Sequence, residues 1–347
     1  MAYTDIDKPS DYFNTALYTG NYSTNNITSL DFQPDLVWIK KRSAAESHVL
    51  TDVVRGTGGN LYSNSTSAED TGITTGVTSF NSDGFSLGAN NGFNQSGATF
   101  ASWNWKAGTS FTNDASATGI GSMDSAGSVN EEAGFAIVSY TGTGSAGTIK
   151  HGLSTAPSMI ILKNRSAAEH WMVGTTALGW TKNLVLSLAN AVATDGSVWN
   201  NTAPTSSVFS VGNSGAVNTS SQNYIAYCFA EKKGYSKFLS YTGNSNADGT
   251  FVYTGFKPAF VMVKMTNGAD DWQILDNKRN TFNVMNEYLR PNSNGATTTN
   301  NVVDFTSNGF KQRSSFGSWN HSSYSYLYMA FAENPFVTST GVPATAR

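Results

Sequence analysis

The sequence is poor in the residues that most often carry crosslinks or metal chemistry. It holds a single cysteine, Cys228, so no disulfide can form within one chain and packing must supply the stability. Cys228 stands in an apolar, strand-like run, where we expect a buried small hydrophobe. The four histidines include no metal-ligand spacing such as HxxxH. These shortages argue against a disulfide scaffold and against a histidine metal centre.

Charge and long apolar runs are also scarce. Charged residues make up 13% of the chain and the formal net charge is -3, which gives no basic field to attract nucleic acid. No apolar stretch is long enough to span a bilayer, and residues 1–7 are polar, without the apolar core of a signal peptide. We therefore expect a soluble protein made in a cytoplasm, with a surface of Ser, Thr, Asn and Gly. That composition is typical of extracellular β-rich proteins.

What is present is a repeat. A turn with a proline, a short apolar run and a lysine six positions after the proline occur three times. The three copies span residues 31–40, 154–163 and 255–264. A Tyr-Thr-Gly motif precedes each copy, at 18–20, 140–142 and 241–243. Each unit closes on an alternating aromatic strand, at 100–105, 224–229 and 326–331.

The repeat period and the strand signals predict the fold class and the domain organisation. A period near 100 residues is too long for a solenoid, and it matches the size of a small domain. Alternating apolar runs separated by Gly, Asn and Ser indicate strands and turns. We predict an all-β protein with three tandem β-sandwich domains of jelly-roll or concanavalin-like type, the strand order being open. The predicted segments are a lead-in (1–12), repeat 1 (13–108), a flexible linker (109–127), repeat 2 (128–234), repeat 3 (235–336) and a C-terminal arm (337–347).

Catalysis leaves little trace in the sequence. Asp52 and Asp276 occupy equivalent positions and could belong to glycosidase carboxylate pairs, but the second unit has Thr175 there. A turn or ion-pair role beside Arg55 or Arg279 is the preferred interpretation. No GxxxxGK motif is present. We expect no enzyme activity, no catalytic residue, no cofactor and no metal site, although the sequence leaves calcium binding at its Asp-Gly turns open.

Aromatic residues in polar loops are the stronger functional signal. A flat, amphipathic ring in such a loop can stack on a sugar or anchor a protein interface. The alternative is that these rings fold back to cap the sandwich cores. The candidate binding residues are Tyr22, Trp180, Trp199 and Trp319.

The repeats resemble a known family. The segments that carry the resemblance are residues 129–135, 149–161, 224–231, 233–238, 253–262 and 343–347. With these residues the chain resembles the tail-fibre-like repeat proteins found in virions of marine bacteriophages of the cyanophage and pelagiphage type. The resemblance covers nearly the whole chain, and it implies a virion structural protein without catalytic residues.

Two function classes follow from the sequence, and a third is kept open. The leading hypothesis is an oligomeric tail-fibre or receptor-binding component that contacts other virion proteins and host surface polysaccharide. The alternative is a capsid decoration or tail-scaffold protein that binds only virion proteins. A polysaccharide depolymerase is the third class. The lack of a coiled-coil or shaft segment favours a compact module mounted on the particle.

Overall fold

The computed structural model describes residues 3–344, and it is all-β, as the sequence predicts. The strands form six antiparallel sheets, and every α-helix in the described part is a single turn of four residues. β-branched and aromatic residues fill the strands, while Gly, Asn and Ser clusters separate them, as the pleated geometry favours. Residues 43–46, between β3 and β4, lie in a loop.

Unit 1 (residues 13–108) is built from two sheets. Its inner sheet has the order β1-β8-β3-β4-β5 and its outer sheet the order β2-β7-β6. Its elements are β1 (Phe13–Thr19), β2 (Asn25–Ile27), β3 (Leu36–Lys41), β4 (Val49–Asp52), β5 (Leu61–Tyr62), β6 (Val77–Asn81), β7 (Gly84–Leu87), α1 (Asn91–Asn94) and β8 (Thr99–Trp105).

The segment between units 1 and 2 is not the flexible linker predicted from its composition. It forms β9 (Thr109–Asn113), α2 (Ala115–Thr118) and the start of β10 (Ser125–Asn130). β9 pairs with β10 along five residue pairs, and Asp114 caps α2 through the backbone N–H groups of Ser116 and Ala117. A composition rich in small polar residues predicts a flexible linker. Here backbone hydrogen bonds to a neighbouring strand hold the segment in an ordered conformation.

Unit 2 (residues 128–234) extends this pairing into a large inner sheet, with the order β16-β15-β14-β13-β18-β11-β10-β9. The outer sheet is the pair β12-β17. The elements are β11 (Phe135–Thr141), β12 (Gly147–Lys150), β13 (Met159–Asn164), β14 (Met172–Thr175), β15 (Lys182–Val185), β16 (Ala193–Thr194), α3 (Gly196–Trp199), β17 (Val208–Val211), α4 (Gly215–Asn218) and β18 (Asn223–Phe229).

Unit 3 (residues 235–336) has an inner sheet of order β19-β26-β21-β22 and an outer sheet of order β20-β25-β24-β23. Its elements are β19 (Ser236–Thr242), β20 (Phe251–Tyr253), β21 (Phe256–Met265), β22 (Gln273–Asp276), β23 (Met285–Tyr288), β24 (Thr298–Thr306), β25 (Gly309–Gln312), α5 (Gly317–Asn320) and β26 (Ser325–Pro335). In all three units the closing strand lies between the Tyr-Thr-Gly strand and the lysine strand.

Each closing strand serves two cores because its side chains alternate between the faces of the inner sheet. In β18, Tyr224, Ala226 and Cys228 face a core private to unit 2, between its inner and outer sheets. Ile225, Tyr227 and Phe229 face a central core that all three units share. Cys228 is fully buried, as expected for a structural cysteine.

Three aromatic rings at equivalent positions meet in the central core. They are Trp105, Phe229 and Phe331, and we call them the axial triad. Their ring centroids are 6.3, 5.7 and 6.0 Å apart for the pairs 105–229, 105–331 and 229–331, and all three pairs are T-shaped. The units are therefore arranged about an approximate threefold axis, with unit 1 packed against the other two. The jelly-roll or concanavalin-like connectivity stays a prediction.

The two terminal segments contact each other. In the lead-in, Ile6 is buried in the central core and Thr4 donates its hydroxyl to the carbonyl of Lys233 at 2.8 Å. The C-terminal arm folds back through a bridge between Val337 and Pro343, and Ser339 donates two hydrogen bonds to Asp7. The arm thus docks on its own chain, and its last residues, 345–347, lie outside the described residues.

Candidate binding surfaces

The Tyr-Thr-Gly motif packs the end of one inner strand against a one-turn helix and bonds to it. In unit 2 the Tyr140 hydroxyl donates to the carbonyl of Val217 at 2.6 Å, and its ring stacks on Tyr224 at 5.1 Å. A Cβ added to Gly142 would lie 2.2 Å from the carbonyl oxygen of Thr219, so only glycine fits. The same tyrosine bond recurs from Tyr18 to Phe93 and from Tyr241 to Trp319, each at 2.8 Å.

A buried asparagine at the end of each helix completes this motif, and reasoning from the sequence missed it. Asn218 donates its amide to the carbonyls of Ser145 and Gly212, and it accepts from the backbone N–H of Thr143. Its equivalents Asn94 and Asn320 are also fully buried. The signal was available, because each asparagine stands six residues before the first aromatic of its closing strand.

Three of the four predicted binding residues are core residues, which corrects the prediction. Trp180 and Trp199 are 6% and 0% exposed and meet edge to face at 5.4 Å. Gly174 makes room for both rings, since a Cβ there would lie within 2.6 Å of each. Trp319 is 1% exposed and packs against Tyr288. Their polar neighbours suggested a surface, but α3 and α5 each turn one apolar ring inward, as the core-capping alternative describes.

Tyr22 is the predicted site residue that the structure leaves on the surface. It is 49% exposed, at the tip of the loop that follows the Tyr-Thr-Gly motif of unit 1. Its φ of 55° is left-handed, and its backbone N–H donates to the carbonyl of Asn94 at 2.8 Å. Gly144 and Ser245 hold the same conformation at the equivalent positions. A bulky aromatic residue in this region of backbone space is uncommon.

The repeated lysines are buried and bind backbone carbonyls of a neighbouring unit. Lys163 is fully buried, and its Nζ donates to the carbonyls of Asn164 at 2.8 Å and of Thr66, in unit 1, at 3.1 Å. Burial lowers the pKa of Lys163 to about 8. Lys40 reaches Asn294 of unit 3 and Lys264 reaches Ala189 of unit 2, and burial likewise lowers the pKa of each to about 8. The three lysines therefore close a ring of contacts between units.

The paired carboxylates are structural. Asp52 binds Arg55 at 2.6 Å and accepts from the Tyr227 hydroxyl of unit 2 at 2.8 Å, all within buried surroundings. In unit 3, Asp276 binds Arg279 at 2.6 Å and accepts from the Trp103 indole N–H of unit 1 at 3.0 Å. These contacts confirm the predicted ion-pair role. The third equivalent pair of positions, between units 2 and 3, holds Thr175 and Met329. The carboxylate and the side chain that donates a hydrogen bond to it are therefore replaced together.

Two open cavities lie on unit 2. One, of about 360 Å³, is lined by Gly144, Ser145, Asn200, Asn213 and their neighbours. The other, of about 420 Å³, crosses the inner sheet beside the β9–β10 hairpin. Among residues 3–344, no group of three or more His, Cys, Asp or Glu side chains is placed to hold a metal ion. In the same described range, no helix has the length and apolarity needed to cross a membrane.

The fold and these surfaces define an all-β protein of three similarly built units that share one core and carry their candidate binding features on loops and sheet faces. Comparison with known proteins identifies its family. The chain belongs to the family described as domain of unknown function (DUF7483), whose model matches residues 8–335. No curated protein and no solved structure matches the chain.

Proposed function

We propose that the protein is a structural component of a bacteriophage virion, tail-fibre-like, that contacts host surface glycans by binding rather than catalysis. The observation that carries the binding role is Tyr22. Holding a bulky L-residue in the left-handed region costs about 1–2 kcal/mol. Burial of the Tyr22 ring does not offset this cost, because the residue is half exposed. Strain at an exposed aromatic ring is typical of a residue kept for contact with a partner.

The scaffold supports this role. The central core joins the three units into one body, so a loop such as that of Tyr22 is presented from a rigid support. The surface loops are built of Asn, Ser and Thr, which offer donors and acceptors to hydroxyl-rich ligands. Three further parts of the proposal rest on the sequence resemblance to tail-fibre-like proteins. They are the location in the virion, the contacts with other virion proteins and the homo-oligomeric state.

A second candidate function is a capsid decoration or tail-scaffold protein that binds only virion proteins. Phe251 and Tyr253 on β20 favour it, because they are 46% and 60% exposed on an edge strand. By the strand registers, Phe251 takes the place of Asn26 in unit 1 and of Thr148 in unit 2. Exposed aromatic rings of this kind are enriched at protein interfaces.

Gold-labelled antibody on intact phage particles would separate the two candidates. Label at the distal tail, with host-cell binding that is lost in Tyr22→Ala, is the result expected for glycan contact. Label spread over the capsid or confined to the tail hub, with virion incorporation lost in Phe251→Ser, would favour the scaffold role. Absence of label from every part of the particle would overturn both. The matched control for Tyr22→Ala is Ser245→Ala, at the equivalent loop position of unit 3.

A further inference from the structure

The larger cavity of unit 2 is an open groove across the inner sheet. Its volume of about 420 Å³ falls in the range of small-ligand sites. β9 and β10 form one part of it, and β11 and β18 form the rest. In units 1 and 3 the equivalents of β11, namely β1 and β19, are edge strands with no hairpin beside them. The groove therefore depends on the segment at 109–127 that is added to unit 2 alone.

Alternate side chains along the groove lie on one face of the sheet. Ser139 stands opposite Ala126, which stands opposite Thr112, and residues opposite each other in a ladder point to the same side. In the next row Thr141 stands opposite Asn223 and donates to its amide oxygen at 3.1 Å. The groove crosses the four strands β9, β10, β11 and β18, a span of about 14 Å at the usual strand spacing, and Arg165, which follows β13, stands at its far end.

The ends of the groove set its charge. Asp114 and Asp124 lie at the hairpin end. Arg165 lies at the other end, where its guanidinium is bound to Glu69 of unit 1 by two hydrogen bonds, at 3.0 and 2.8 Å. An anionic ligand would thus meet two carboxylates and an arginine that already has a carboxylate partner. Hydroxyl and amide groups between the ends offer hydrogen bonds.

We propose that this groove binds a short neutral oligosaccharide, running across the strands from Asp124 toward Arg165. Such a ligand presents hydroxyl groups along its length and brings no negative charge to the two carboxylates. This inference rests on the proposed glycan-binding function and names the ligand class and a second place of contact, separate from Tyr22.

The experiment uses the full chain and a panel of neutral tetrasaccharides (cello-, malto-, laminari- and chitotetraose), with tetragalacturonate as the anionic member, measured by titration calorimetry. We expect at least one neutral member to bind and tetragalacturonate not to bind. The double variant Thr141→Ala/Asn223→Ala should weaken that binding at least tenfold, since each lost hydrogen bond is worth about a factor of ten in affinity. Ala126→Trp should abolish it by filling the groove.

The matched control is Thr242→Ala/Ser325→Ala, the same row in unit 3, which should leave binding unchanged. Thermal unfolding of each variant checks that the fold is intact. No binding by any neutral member at millimolar concentration, or equal loss in the unit 3 control, would overturn the groove proposal. Particle labelling is independent of this result: labelled particles without saccharide binding refute the groove alone, and groove-dependent binding without particle label refutes the virion role.

Discussion

The three units should unfold together, because a single apolar core joins them. Replacing Phe229, which is 2% exposed and touches both other members of the axial triad, by alanine should lower the free energy of unfolding by about 3–5 kcal/mol. At about 2.1 cal/mol/K per residue, the unfolding entropy of 347 residues is about 0.7 kcal/mol/K. The expected fall in Tm is therefore about 4–7 °C.

Differential scanning calorimetry tests the cooperativity itself. One transition of the whole chain should have an enthalpy near 240 kcal/mol at about 0.7 kcal/mol per residue, with an equal van't Hoff enthalpy. Three independent units would give a van't Hoff value near a third of that. The control variant Phe209→Ala removes a fully buried ring from the private core of unit 2. If it splits the transition and moves only part of the heat, the shared-core reasoning is refuted.

Three further predictions follow from the contacts. Gly142→Ala should destabilise the protein by more than about 2 kcal/mol in urea unfolding because its Cβ would overlap a carbonyl oxygen, whereas Gly58→Ala, where nothing lies within 4 Å, should change stability little. Trp103→Phe should cost about 1–2 kcal/mol in the same assay, since it removes the N–H that donates to buried Asp276; an unchanged midpoint would contradict that role. Stability should also rise from about pH 8 to 9, because the folded pKa of each of the three buried lysines is near 8, below its ordinary 10.5, and the unfolded chain binds more protons in that window; nearer pH 10 the buried tyrosines, whose folded pKa is raised by burial, act in the opposite direction. Lys163→Met should make the rise between pH 7.5 and 9 smaller, because one of the three contributing lysines is lost, and a flat profile in the unaltered protein would refute the lysine argument.

The sequence predicted the strands well and the contacts between units poorly. Strand alternation is local, so the closing strand 224–229 and its two-faced burial follow directly from the order of its residues. Lys163 could not be interpreted in the same way, because its partner Thr66 lies in another unit, nearly one hundred residues away. A lysine at the end of an apolar run suggests a solvated strand end unless that partner is known.

The residues of the candidate site were also predictable only where the signal in the sequence is local. Trp199 sits among polar residues, and composition alone cannot say that a one-turn helix directs its ring inward. The added strand β9 was missed because residues 109–113, which are polar except for Phe111, gain their order from pairing with β10, which is not a local property. Asn218, by contrast, could have been found by aligning the repeats, since its spacing to the closing strand is constant.

The approximate threefold arrangement has an evolutionary consequence. A homotrimer must carry every surface change three times, because one gene encodes all its subunits. Here each of the three units has its own sequence within one chain. Only unit 2 therefore carries the β9–β10 hairpin, and only unit 3 has an exposed phenylalanine at the position of Phe251. The single chain in this way uncouples the exterior from the interior: the centre keeps the constraints of a symmetric assembly, while each outer face is free to acquire its own specialisation.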